Sequence, residues 1–136
     1  MLLIKKIIKA PSQYVGHTSN IKKCLLSKNN KNIISISDDK TVRLWDTVSC
    51  KEIQQIKFND TPNSIEISRD GEMLILAHGS LVELYEASNL TKLNTFTIPS
   101  PVSAASIHPN KSVFVCGGEN FTLYKYSISN GAELGL

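Results

Sequence analysis

An aromatic residue ending an apolar run recurs three times in this chain, at Trp45, Tyr85 and Tyr126, at intervals of 40 and 41 residues. Each follows the same succession of short apolar runs and polar turns, so one structural unit is written three times. Around Trp45 that unit is easiest to read. Ile33, Ile34 and Ile36 precede the polar knot Ser37-Asp38-Asp39-Lys40, and Thr41, Val42, Leu44 and Trp45 follow it. β-Branched and aromatic residues flanking an Asp-rich turn predict a β-hairpin over 33–46.

Taken in order, the first unit has Gly16-His17, a strand over 21–26, a polar turn over 27–32, the hairpin, and a strand over 52–58. The second has strands over 64–67, 73–77, 81–86 and 92–96, with turns at 68–72 and 78–80. The third has strands over 102–107, 112–116 and 121–127, turns at 108–111 and 117–120, and after Ser129-Asn130-Gly131 a fourth strand beginning in 132–136. Four short strands in a unit of about 40–45 residues is the period of a β-propeller blade. No stretch carries enough 3.6-residue periodicity for a core helix. The expected fold is therefore all-β: a partial β-propeller of about three four-stranded antiparallel blades, not closed. Its divisions are a leader or remnant over 1–15, and blades over 16–58, 59–97 and 98–136, the last lacking a complete outer strand.

A length of 136 residues with 41% hydrophobic and 20% charged residues suits one domain with a real core. The net charge of +3 is spread over scattered lysines, with one local cluster at Lys22, Lys23, Lys28 and Lys31. No aromatic residues interleave with that cluster as base stacking requires, so direct RNA binding is not expected. The three cysteines, Cys24, Cys50 and Cys116, form no C-x-x-C pair or framework, which fits free thiols in a reducing compartment. In such a compartment the Asn-x-Ser/Thr triplets at Asn59, Asn89, Asn110 and Asn120 are silent. The apolar run at the N-terminus is short and broken by Lys5 and Lys6, so neither a signal peptide nor a membrane span is expected.

Counting back from Trp45, Asp39 stands six residues earlier, Ser37 eight and His17 twenty-eight. A Gly-His opening and a Trp-Asp ending at these offsets resemble a WD40 repeat and its structural tetrad. The resemblance implies that His17 bridges Asp39 and Ser37, while Ser37 reaches Trp45. The chemistry is self-consistent: a turn carboxylate needs a donor, imidazole has two polar ends, and the indole N–H needs an acceptor. Leaving one member unpaired costs about 1–3 kcal/mol. Ser, His and Asp are also the parts of an acyl-transfer triad. Yet there is no G-x-S-x-G elbow or oxyanion loop, and the Trp offset has no catalytic purpose.

The other units are degenerate. Tyr85 and Tyr126 replace Trp; six residues before them stand Gly79 and Asn120, the latter a polar stand-in for Asp. Those blades are expected to rest on apolar packing, from Leu74, Ile75, Leu76, Leu84, Val113, Phe114, Val115 and Leu123. His78 and His108 read as turn residues; Asp38, Asp39, Asp60 and Asp70 read as turn carboxylates capping their own backbone; glycines 71, 79, 117, 118 and 131 read as turn glycines. No metal-ligand or phosphate-loop spacing is present, so no metal, no cofactor, no small-molecule substrate and no enzymatic activity are expected.

Within the WD40 family the wording at 16–23, 37–46, 105–111, 117–126 and 129–134 is similar to the subfamily of serine-threonine kinase receptor-associated (Unr-interacting) proteins. That resemblance implies a scaffold or adaptor in the cytoplasm, with a nuclear share. Its implied partners are the gemin components of the survival-of-motor-neuron complex, which assembles spliceosomal ribonucleoproteins, transforming-growth-factor-β receptor signalling components, and Unr. Two alternatives stand beside it: another WD40 adaptor, such as a subunit of translation initiation factor three, or an RNA-contacting protein using its basic face. The family closes seven blades and about three are written here, which reads as a truncated form rather than as several chains in association.

Overall fold

The computed structural model describes residues 10–129 and 133–134. The reading of 1–15 as a leader or blade remnant therefore lies largely outside the described residues, as do the turn at 130–131 and most of 132–136. Twelve strands form three antiparallel sheets among the described residues, and no helix. Blade 1 is β1 (Ile21–Leu26), β2 (Asn32–Ser37), β3 (Thr41–Asp46) and β4 (Glu52–Lys57). Blade 2 is β5 (Pro62–Ile67), β6 (Met73–His78), β7 (Leu81–Glu86) and β8 (Lys92–Thr97). Blade 3 is β9 (Val102–Ile107), β10 (Val113–Gly118), β11 (Leu123–Ser127) and the two-residue β12 (Glu133–Leu134). Within each blade the strands pair in chain order.

The blades stack face to face, with β5 against β1 and β2, and β9 against β5 and β6. Strand alternation decides which residues meet. In blade 1, Ile34, Ile36, Val42 and Leu44 point to one side and pack on Ile65, Leu74, Leu76 and Tyr85 of blade 2. From the other side of blade 2, Ile75, Ala77, Val82 and Leu84 pack on Ile107, Phe114, Cys116 and Tyr126 of blade 3. The strands β6 and β7 thus bury apolar side chains on both faces, whereas a sheet with one wet face would alternate.

Two sequence readings are corrected here. His78 is not in a turn: it is the last residue of β6, buried and paired with Leu81. Gly117 and Gly118 are likewise strand residues of β10, beside an irregularity in the β9 pairing. At Gly118 the chain passes so close to the Pro101 carbonyl that a side chain would collide with it, so the glycine serves close approach rather than a turn.

Candidate functional site

Register brings the three anchors to one place in each blade. Trp45 lies opposite Ile33, Tyr85 opposite Leu74, and Tyr126 opposite Phe114. Around Trp45 and Tyr85 the loop entering the blade, the second strand and the residues before the third strand converge, and there polar side chains gather.

In blade 1 they form one line. His17 Nδ1 lies 2.8 Å from Asp39 Oδ2, and Nε2 lies 2.6 Å from Ser35 Oγ. The Trp45 indole N–H donates to the same Ser35 oxygen at 2.8 Å. The serine hydroxyl has one proton to give, so it donates to Nε2, and His17 donates from Nδ1 to Asp39. The serine in the lock is Ser35, which corrects the reading of Ser37. Ile33 faces Trp45 directly, and the side chain two residues on along that face, where the indole N–H points, is Ser35. Ser37 stands at the strand end instead, where its hydroxyl donates to the Ser19 carbonyl and accepts from the Asp39 N–H. Asp39 also accepts from the N–H groups of Thr18 and Thr41 and from the Thr41 hydroxyl. Burial opposes its ionisation, but the bonds from Thr41, His17 and Thr18 outweigh burial and hold the carboxyl far below the usual range.

Serine, imidazole and carboxylate stand in the same order as in an acyl-transfer triad. Ser35, however, is only 3% exposed, and its oxygen already accepts the indole proton. The line offers no exposed nucleophile; it ties β2, β3 and the loop before β1 together.

Blade 2 carries a different lock, built from residues that the repeat pattern passes over. His78 Nδ1 donates to Asp60 Oδ1 at 2.7 Å, and Nε2 donates to Glu83 Oε1 at 2.7 Å. Glu83 also accepts from the hydroxyls of Tyr85 at 2.8 Å and Thr95 at 3.0 Å, and pairs with Lys92 at 2.9 Å. Both imidazole nitrogens face carboxylates, so His78 is held as the cation. Burial works against that charge, but bonds to Glu83 and Asp60 raise its pKa above the ordinary value. Burial likewise opposes Glu83, yet His78, Lys92, Tyr85 and Thr95 bring it down to about 2. Burial, reinforced by Glu83, pushes the Tyr85 hydroxyl far up. Phe58 lies over the imidazole at 4.3 Å between ring centroids.

The reading of blade 2 as held by apolar packing alone is therefore corrected, as is Asp60 as a carboxylate serving only its own turn. Gly79, which holds the position of Asp39, supplies the physical reason. A side chain built on Gly79 would strike the Asp60 carboxylate. The missing turn carboxylate is thus replaced in space by one from the preceding loop. A signal existed in Glu83, a carboxylate between Val82 and Leu84 in an apolar strand, which cannot be buried there without partners.

In blade 3, Asn120 does not reach Tyr126. Its side-chain oxygen accepts from the Thr122 N–H, and its amide donates to the Tyr124 hydroxyl at 2.6 Å. Tyr126 stacks on Phe114 at 5.2 Å, with Phe96 packed on both rings. Arg43, Glu83 and Tyr124 hold equivalent positions, two residues before each anchor; Arg43 and Tyr124 meet the turn before their strand, whereas Glu83 meets His78 at the end of β6. Among the described residues no cluster of His, Cys, Asp or Glu has the form of a metal site.

Residues 9–46 match the family described as WD domain, G-beta repeat. The chain is a WD40-repeat protein. It is 41% identical over 124 residues to serine-threonine kinase receptor-associated protein of Homo sapiens, an alignment covering 91% of this chain and 35% of that protein. The Dictyostelium discoideum protein of the same name is 32% identical over 123 residues, 90% of this chain and 42% of the relative. The chain thus spans about a third of the mammalian relatives it matches. The solved structure of U3-55K superposes with a TM-score of 0.80 at 18% identity, covering 90% of this chain and 40% of that one, a likeness of fold.

Proposed function

We propose that this WD40 chain acts as a non-catalytic adaptor of the serine-threonine kinase receptor-associated type. The observation that carries the reading is the 41% identity across 91% of the chain, degenerate blades included. In this reading the chain contributes to spliceosomal ribonucleoprotein assembly with gemin components of the survival-of-motor-neuron complex. It also takes part in transforming-growth-factor-β receptor signalling and in contact with Unr, in the cytoplasm and in part in the nucleus. What supports a passive role is the state of the polar residues: the histidines of both locks are fully engaged inside the sheet stack.

Affinity purification of the tagged chain, with partners identified by mass spectrometry, tests this. Recovery of gemin or receptor components above a tag control is the expected result; their absence sinks the specific assignment. The RNA-contacting alternative rests on the exposed Lys22, Lys23, Lys28 and Lys31. Retention that fell steeply as salt rose would favour it, because phosphate contacts release counterions and apolar adaptor contacts do not.

A further inference from the structure

Blade 2 has a described blade on either side, so the grooves along its two seams are walled by blades on both sides. Both open at the end of the blades where first and third strands finish, and their positions correspond. Asn32 pairs with Asp46 in blade 1 as Met73 pairs with Glu86 in blade 2. The chemistry differs. Between blades 1 and 2 a groove of about 440 Å³ is lined by polar side chains, among them Lys28, Asn32 and Asp70, and by no apolar side chain larger than Ala87. Between blades 2 and 3 a groove of about 480 Å³ is lined by Glu72, Met73, Glu86, Ser88, Leu93 and Lys111.

Two features set the second groove apart. The first is an apolar pair. Met73 packs in part on the core between blades 2 and 3, and Leu93 is 42% exposed with both neighbouring blades in place. Leu93 is also the extra residue where β8 slips against β7, since Lys92 lies opposite Tyr85 and Asn94 opposite Leu84. A bulge of this kind re-aims a side chain. The second feature is charge. Lys111 is held by Asp70 at 2.6 Å and by Glu72 at 2.9 Å. Glu86 has the Asn89 amide at 3.2 Å and pairs with no cation among the described residues. Three carboxylates thus stand around one ammonium.

We propose that this groove binds a short segment of a partner protein in which Lys or Arg stands next to a large aliphatic residue. The aliphatic side chain lies between Met73 and Leu93 and removes both from water. The cation pairs with Glu86, complementing the negative rim. An acidic segment would meet the carboxylates with like charge, and a purely basic one would leave Met73 and Leu93 wet. The inference does not rest on the partners named above, because it concerns the class of segment, whichever protein bears it.

Phage-displayed random peptides panned on the immobilised chain should yield sequences with Lys or Arg next to Leu, Ile or Met. An enriched peptide, labelled with fluorescein and titrated by anisotropy, should lose about tenfold in affinity for Glu86→Lys and for Leu93→Ser. Ile53→Ser, at the equivalent bulge of blade 1, should bind as the parent chain does. The same peptide with its cation changed to Glu should bind Glu86→Lys better than it binds the parent. All three variants should keep the parent's circular dichroism spectrum. A panning that enriches nothing, an acidic consensus, unchanged affinity for Glu86→Lys and Leu93→Ser, or an equal loss in Ile53→Ser overturns the proposal.

Discussion

Blades 1 and 2 solve one problem with opposite parts. In blade 1 the imidazole comes from the incoming loop and the carboxylate from the turn before the third strand; in blade 2 the loop supplies Asp60 and the second strand supplies His78. The first lock is a line that runs from the Asp39 carboxylate to the Trp45 indole. The second holds a histidine cation between two carboxylates, with Lys92 and Thr95 on the far oxygen of Glu83. What blades 1 and 2 share is a polar bridge from incoming loop to third strand; the residue types differ while donors and acceptors still match. The difference should appear in how each blade fails.

The largest effect is expected at Glu83. Glu83→Ala strips acceptors from His78, Tyr85, Thr95 and Lys92 at once, and breaking a buried pair from one side costs about 3–5 kcal/mol. The midpoint of urea unfolding reads this. Replacing both partners with leucine, Glu83→Leu with His78→Leu, should recover much of the loss, since no charge is left stranded. If the double variant is as unstable as the single, the lock adds stability beyond satisfying its own members.

Gly79→Ala comes next. Gly79 has a φ of +54°, and the added methyl meets the Asp60 carboxylate. Holding a non-glycine residue in that region costs of order 1–3 kcal/mol. Asp60→Ala should destabilise less when made in the Gly79→Ala background than alone, because the bond to His78 is already displaced. Strict additivity of the two in denaturant titrations would show that Gly79 and Asp60 are not coupled.

The strands and three-blade order are legible in the sequence because apolar runs, turn residues and the aromatic anchors repeat in phase; β1, β3, β7 and β9 lie where the residue types place them. Three of the four lock residues of blade 1, His17, Asp39 and Trp45, follow from the resemblance to the WD40 tetrad. The serine does not, because Ser35 and Ser37 share one face and only the pairing of Ile33 with Trp45 selects between them. The blade 2 lock is illegible to repeat counting for a deeper reason. Its members occupy positions that hold Ser37 and Arg43 in blade 1, and its aspartate comes from a loop with no fixed offset. Glycine at a carboxylate position reads as loss until the carboxylate filling its space is seen.

Ser35 and Ser37 give a sharper test within blade 1. Ser35→Ala leaves the Trp45 indole N–H without its acceptor and His17 Nε2 without its donor, at a cost of about 1–3 kcal/mol. Ser37→Ala removes bonds at the strand end, to Ser19 and Asp39, and should cost about 0.5–1.5 kcal/mol. Equal losses in parallel thermal melts would undo the assignment of Ser35 to the lock.

The smallest effect separates the two locks by pH. His78 has a folded pKa raised above its ordinary 6.5, so its contribution is complete below pH 6.5 and fades as pH rises through the raised value. Glu83 runs the other way: lowered from 4.5 to about 2, it contributes fully above pH 4.5 and loses that contribution as pH falls toward 2. The blade 2 lock is therefore strongest between about pH 4.5 and 6.5. In the blade 1 lock the lowered carboxyl is Asp39, and its contribution is lost on the acid side. Melting temperature should drift down from pH 6.5 through 9, and His78→Gln should flatten that alkaline drift while keeping the acid limb that Asp39 supplies. An alkaline drift undiminished in His78→Gln would place its origin outside blade 2 and remove the charge distinction between the locks.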